Sequence, residues 1–250
     1  MRIVVVGGTG LIGRQVVATL QEQGHEAVAA SPATGVDTVA GTGVAEALAG
    51  ADVVVDVSNS PSFADDDVMT FFTTSTRNLV EAGRAAGVRH HVVLSIVGAD
   101  GIKAGYMRAK VAQEELVRGS GLPWTVVRAT QFHEFVPFIA DGCTVDGVVR
   151  IPPVAFQPVA AAEVARVVAE VAVGAPRDGV VELAGPERLR FDEVVRAALA
   201  ARGDAREVVA DADAPYFGAR MGEGSLVPAG ESLRGRVTFA ESIGAGVGAA

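Results

Sequence analysis

The chain has 250 residues, 49% of them hydrophobic and 20% charged, with a formal net charge of −9. That apolar content suffices for one buried core, or a core with a smaller C-terminal lobe. The acidic balance argues against a nucleic-acid partner, the lone Cys143 excludes an internal disulfide and a cysteine-rich metal site, and the lack of a long apolar run or a signal-like start predicts a cytoplasmic protein with no membrane partner.

Arg2-Ile3-Val4-Val5-Val6 is a β-branched run that predicts a buried first strand. It opens into Gly7-Gly8-Thr9-Gly10-Leu11-Ile12-Gly13, after which Val16, Val17 and Leu20 recur at helical spacing until Gly24. A strand, a glycine turn and a helix give a dinucleotide what it needs. Glycines let the backbone approach a pyrophosphate, and the helix N-terminus offers N–H groups and partial positive charge. The alternative is a plain glycine-rich strand-to-helix turn. Gly7, Gly10 and Gly13 form G-x-x-G-x-x-G rather than G-x-G-x-x-G.

This opening resembles that of the extended and atypical short-chain dehydrogenase/reductases, including the NmrA-like group, which begins G-[GA]-T-G-x-[IL]-G. The resemblance implies an α/β, Rossmann-type, doubly wound parallel sheet with a small C-terminal substrate-binding lobe. It implies NAD(P) as cofactor, with Gly7, Thr9, Gly10, Leu11, Ile12 and Gly13 around it.

His25 to Ala30 reads as the second strand. NAD users of this kind place an acid at its end; here Ser31-Pro32-Ala33-Thr34 has none. The Ser31 and Thr34 hydroxyls and the Arg14 guanidinium suit a 2′-phosphate, which favours NADP(H) over NAD(H). The other reading of Arg14 is an exposed first-turn residue. Relatives place a full helix before the third strand, but here the segment after Ser31 is too short for one. Val36 to Val39 reads as a short third strand, with Asp37 either an adenine contact or a turn residue, and a helix follows over 44–48.

Asp52 to Val57 predicts a central strand that runs into Ser58-Asn59-Ser60-Pro61. Open parallel sheets bind ligands at such strand ends, and the resemblance puts Ser58 and Asn59 beside the cofactor ribose and phosphates. Asp65-Asp66-Asp67 opens a helix to about Ala86, where the acids suit the helix N-terminus better than a metal, so no metal is expected. Phe71, Phe72, Leu79 and Val80 read as core or dimer contacts; the resemblance leaves monomer and homodimer both open.

His90 to Gly98 is the next strand, with Ser95 near its exit. Tyr106-Met107-Arg108-Ala109-Lys110 follows, in a run that continues as a helix to Val117, so Tyr106 and Lys110 lie one turn apart on one face. The chain has only two tyrosines and two lysines. Y-x-x-x-K after a Ser-bearing strand resembles the short-chain dehydrogenase catalytic set. The resemblance implies Tyr106 as general acid, Lys110 favouring the phenolate and holding the nicotinamide ribose, and Ser95 fixing the substrate oxygen. Many NmrA-like relatives lack the tyrosine and act as redox sensors; this chain keeps it.

Trp124 to Phe132 reads as the family's nicotinamide-side strand, with Ala129 where relatives often have proline and with Thr130, Gln131 and Phe132 as nicotinamide neighbours. Phe132, Phe135, Phe138, Phe156, Tyr216 and Phe217 fall in segments like the family's substrate-side insertions. They are either lobe packing or the lining of a pocket for an apolar, aromatic substrate, with His133 and Glu134 as candidate polar contacts. Helices are predicted over 161–173 and 191–202 and a late strand and turn over 180–187. Residues 204–250 carry no sustained period, and 244–250 is expected to be a disordered tail. The chain thus reads as one NAD(P)-binding domain, with 131–250 supplying most of the lobe.

The expected function is an NAD(P)H-dependent reductase of a ketone or quinone in a small apolar, aromatic substrate, as in natural-product tailoring. Two alternatives stay open: a non-catalytic, NmrA-like dinucleotide-sensing regulator, and a nucleotide-sugar epimerase or dehydratase. The second usually carries a longer, polar C-terminal domain.

Overall fold

The computed structural model describes residues 1–247. In chain order the elements are β1 (Arg2–Val6), α1 (Leu11–Glu22), β2 (Glu26–Ala30), α2 (Val44–Leu48), β3 (Val53–Asp56), α3 (Asp65–Ala86), β4 (His90–Ile96), α4 (Gly105–Arg118) and β5 (Trp124–Ala129). There follow α5 (Val136–Gly142), β6 (Thr144–Val145), β7 (Val148–Ile151), β8 (Ala155–Phe156), α6 (Ala161–Val173) and β9 (Gly179–Ala184). The last are β10 (Leu189–Arg190), α7 (Phe191–Ala201), β11 (Val208–Ala210), β12 (Leu233–Arg234) and α8 (Phe239–Val247).

A seven-stranded sheet runs β2-β1-β3-β4-β5-β9-β12. β1 pairs in parallel with both β2 and β3, and β3 with β4. This is the expected α/β, Rossmann-type fold. From β1 the chain goes outward to β2, then crosses back to β3 on the other side. The strand order therefore reverses at β1 and β3, and ligands of such sheets bind beyond the C-terminal ends of the strands at that reversal.

The chain forms two compact units interleaved in sequence: Met1–Ser95, Gly105–Arg128 and Val164–Val181 make the first, and Ile96–Ala104, Ala129–Glu163 and the chain from Glu182 make the second. The second unit thus draws on the expected 131–250 segment, but it also takes 96–104 and leaves 164–181 to the first.

In the first unit, side chains alternate across β1 and β3. Val4, Val6 and Val54 face a core closed by Val44 and Leu48 of α2 and Leu79 of α3. The residues between them are also buried, as expected for strands covered on both faces. The expected third strand over 36–39 is not a strand. The Asp37 carboxylate accepts the N–H groups of Val39 and Ala40, both at 2.9 Å, and folds the chain into a turn. Asp37 is therefore engaged as a turn residue, and the third strand of the chain is Val53–Asp56.

The second unit has a three-stranded sheet, β11-β7-β6, and a short β8–β10 pair. Its core is aromatic. Phe156 stacks on Phe191 at 4.2 Å, and Tyr216 meets Phe191 edge-on at 5.4 Å. Phe156 and Tyr216 are buried, so these two belong to the packing of the unit rather than to a pocket lining. Phe132, Phe135 and Phe138 instead form a ladder of edge-to-face rings that ends at the exposed Phe138. Residues 244–247 of the expected tail lie in α8, which Phe239 anchors by packing edge-on against the His133 ring at 5.3 Å; residues 248–250 lie outside the described residues.

Candidate functional site

The glycine turn leaves β1 with Gly7 at φ +77°, where a Cβ would be strained. A Cβ there would also fall 2.8 Å from Ser58 Cα, so the turn lies directly against the loop leaving β3. At Gly13 a Cβ would strike Gly7 O and lie 2.6 Å from Gly8 Cα. Gly10 caps α1 and carries no side chain to close it, and no acid stands in the first turn. The first-turn N–H groups and the positive end of α1 are thus left for an external anion. By contrast, Asp65, Asp66 and Asp67 occupy the first turn of α3. This is a cradle that fits a pyrophosphate. Thr9, Gly10 and Arg14 are exposed there, Leu11 is half-buried, and Ile12 and Gly13 are buried.

At the end of β2, the Thr34 hydroxyl closes its own turn, accepting the Ser31 N–H at 2.9 Å and donating to Ser31 O at 3.0 Å. Ser31 is buried. Of the groups expected to meet a 2′-phosphate, Arg14 and Thr34 are both exposed, but the Thr34 hydroxyl is committed to its own turn.

The loop after β3 holds the phenol. Tyr106, in the first turn of α4, donates its hydroxyl to Asn59 Oδ1 at 2.7 Å. Its ring is half-buried, edge-on to Phe72 at 5.7 Å and tilted against Phe63 at 5.5 Å. Burial pushes the phenol above its ordinary value. This is opposite in direction to the expected lowering by Lys110, and it keeps Tyr106 protonated at neutral pH. The α4 backbone reaches Tyr106 through Gly105, where a Cβ would land on the Asp65 carboxylate, 2.6 Å from Oδ2.

Lys110, one turn on, points inward. It is buried, and its ammonium donates to Leu94 O at 2.8 Å and to Gln113 Oε1, with the Phe72 ring 4.3 Å away. Gln113 Nε2 in turn donates to Asp56 Oδ2 at 2.8 Å. Asp56 Oδ1 accepts the Ser58 N–H at 2.9 Å and the Ser58 hydroxyl at 2.6 Å. Burial lowers the Lys110 amine to about 8, against the opposing charges of Asp56 and Glu114. Leu94 O lies one residue before Ser95, whose buried hydroxyl has no hydrogen-bond partner among the described residues. A buried polar atom left in that state is most simply met by water or a ligand.

The sequence thus brings Asn59 to Tyr106, Ser58 to Gly7, and Lys110 to the strand end that bears Ser95. Asp56 and Gln113 were not singled out from the sequence. The available signal was an acid at the end of an otherwise apolar strand, in register with a glutamine one turn after Lys110. Glu114 beside it is structural: it is fully buried and forked by Arg128 at 2.9 Å through both Nε and Nη2.

In the second unit, Thr130 donates its hydroxyl to Gln157 O at 2.6 Å, and the Glu134 carboxylate accepts the Ala161 N–H at the start of α6. Both side chains hold the unit together. Neither polar atom of the buried Gln131 side chain has a partner among the described residues.

Among the described residues no group of three His, Cys, Asp or Glu could hold a metal ion, and no helix is long and apolar enough to cross a membrane.

The sequence model of the NAD(P)H-binding family matches residues 7–175. The chain belongs to that family, of the NmrA-like, atypical short-chain dehydrogenase/reductase kind. It is 34% identical over 162 residues to a (4-alkanoyl-5-oxo-2,5-dihydrofuran-3-yl)methyl phosphate reductase of Streptomyces griseus subsp. griseus, a match covering 59% of this chain and 54% of that protein. The match therefore spans about half the length of the relative. In fold it is similar to an NADPH-dependent quinone oxidoreductase of Escherichia coli, at a TM-score of 0.68 and 20% identity, covering 97% of this chain and 98% of that one. It is also similar to the NADP(H)-complexed triphenylmethane reductase of a Citrobacter species, at a TM-score of 0.59 and 20% identity, covering 84% and 79%.

Proposed function

We propose that the protein is an NAD(P)H-dependent reductase acting on a ketone or quinone in a small apolar, aromatic substrate, with Tyr106 as general acid. One observation carries the reading: the protonated phenol of Tyr106 is tied through Asn59 to the loop that packs on the dinucleotide turn. The names of the three similar proteins given above, two reductases and a quinone oxidoreductase, support the same reaction class.

The glycine turn and the α1 N-terminus would hold the pyrophosphate, with Asn59 beside the ribose. Arg14 would favour the 2′-phosphate of NADP(H). A reduced nicotinamide held there would supply the hydride that reduces the carbonyl carbon. Tyr106 gives its proton to the oxygen as negative charge develops there. A ketone leaves an alkoxide, which is more basic than a phenolate, so a phenol raised by burial remains a competent donor. The Ser95 hydroxyl would hydrogen-bond that same oxygen and fix its position. Lys110 would add positive charge that stabilises the phenolate left behind.

The test is loss of reduced-nicotinamide absorbance with NADPH and NADH in parallel, against a panel of aromatic ketones and quinones, for wild type and Tyr106→Phe. Turnover that collapses in the variant supports the reading. Tight dinucleotide binding with no turnover across the panel rejects it in favour of a sensing role.

A further inference from the structure

The Lys110 ammonium does not stand alone in the buried layer between α3, α4 and the ends of β3 and β4. Gln113 lies between it and the Asp56 carboxylate, and both side chains are buried. The two ends of the Gln113 amide are used in the one sense that fits. The carbonyl accepts from the cation, and the amino group donates to the anion. An amide so oriented is a dipole aligned between opposite charges. The flipped orientation would set donor against donor at Lys110 and acceptor against acceptor at Asp56.

We infer that Gln113 is a positioning residue that holds the Lys110 amine at the Leu94 carbonyl and couples its charge to Asp56. Nothing in the comparisons assigns a role to either Gln113 or Asp56, and the inference rests on the role proposed above for Lys110. Direct pairing with Asp56 would draw the ammonium away from Leu94 O, and so from the strand end that bears Ser95. The interposed amide keeps it there. The desolvation that lowers the proton affinity of an amine in this layer is opposed by the carbonyls that accept from it, by the aromatic face beside it and by the acids that face it. On α4 itself, Glu114 is already met by Arg128 and Arg118. From β3, Asp56 is the acid linked to Lys110. From β4, His91 also senses Asp56, but burial keeps that imidazole neutral. From α3, Lys110 meets the uncharged Phe72 ring. Of the two acids whose charge opposes that desolvation, Asp56 acts more strongly than Glu114, and Gln113 is its link to the amine.

The chain has only two lysines, Lys103 and Lys110. Protein labelled with 13C and 15N lysine therefore gives two side-chain signals, and Lys103→Arg assigns them. Lys110 is followed through a pH titration by NMR without cofactor or substrate, in wild type, Asp56→Asn and Gln113→Met. Circular dichroism checks that each variant is folded. Both variants are expected to lower the proton affinity of Lys110 by about tenfold or more. In turnover, the alkaline limb of the kcat/KM profile is expected to move to lower pH in step. A purely structural role for Gln113 would cost stability but leave the Lys110 midpoint in place. An unchanged midpoint in Gln113→Met overturns the inference, and that variant decides alone if Asp56→Asn does not fold. If the midpoint falls but no substrate is turned over, the proposed reductase reading fails while the Asp56–Gln113–Lys110 link stands.

Discussion

The Tyr106 hydroxyl donates to Asn59 Oδ1 at 2.7 Å, and Asn59 follows Ser58, whose backbone fills the place of a side chain on Gly7. The group proposed to move a proton and the turn proposed to hold the cofactor are thus two contacts apart, along one strand-end loop. In Tyr106→Phe the ring packing on Phe63 and Phe72 remains and only the hydroxyl is lost. We expect kcat to fall by about 10²–10⁴ while the dinucleotide still binds, as read by steady-state absorbance and by quenching or enhancement of NADPH fluorescence. Full activity in the variant would remove Tyr106 from the chemistry.

Gly13→Ala tests the cradle. The added methyl would press on the Gly7 carbonyl and lie 2.6 Å from Gly8 Cα, both backbone atoms. A destabilisation of about 1–3 kcal/mol is expected, together with loss of NADPH binding. Thermal unfolding and fluorescence titration report the two effects separately.

Arg14→Ala tests the cofactor preference. With Thr34 engaged in its own turn and Ser31 buried, the proposed NADP(H) preference would rest on the guanidinium. The ratio of kcat/KM for NADPH to that for NADH is expected to drop about tenfold. An unchanged ratio would assign Arg14 to the exposed surface of α1 and nothing more.

His90 makes stability depend on pH. Its ring bonds Thr125 Oγ1 at 2.9 Å, and burial lowers it to about 4 from an ordinary 6.5. Below pH 6.5 the unfolded chain takes up a proton that the folded chain refuses. Stability is therefore complete above that value, falls as pH drops toward 4, and levels off below it. The contribution is on the order of 2–3 kcal/mol. Urea unfolding at pH 7 and pH 5 should show the loss in wild type and a smaller one in His90→Gln.

Phe156→Leu separates core from pocket. Because Phe156 is stacked on Phe191 in the second unit, the change should cost about 1–3 kcal/mol and leave KM for any panel substrate unchanged. A selective rise in KM would return Phe156 to the substrate.

The first strand, the glycine turn and α1 were legible because a buried strand, a tight turn and an amphipathic helix each leave a periodic or compositional mark. The Y-x-x-x-K pair was legible for the same reason: helical spacing alone puts Tyr106 and Lys110 one turn apart. The direction in which each side chain leaves the helix was not. Tyr106 turns to Asn59 and Lys110 turns to Leu94 O, and those choices depend on partners distant in sequence. Val36 to Val39 is β-branched at three of its four positions, as a strand would be, yet a local carboxylate at Asp37 captures the backbone first. Beyond residue 204, β11 and β12 span three and two residues, too short to display a period.

Gly105 carries one more consequence. Any side chain there would collide with Asp65, so the two positions are not independent variables. The clashing atoms are the free end of an exposed carboxylate, so a larger residue at 105 displaces Asp65 from Arg108, while a library that also varies 65 relieves the contact without that rearrangement. The Asp65–Arg108 ion pair lost in such clones is exposed on both sides and of little worth, so the pair of positions is open to joint redesign. It offers a handle on the placement of Tyr106 that leaves every group around the cofactor untouched.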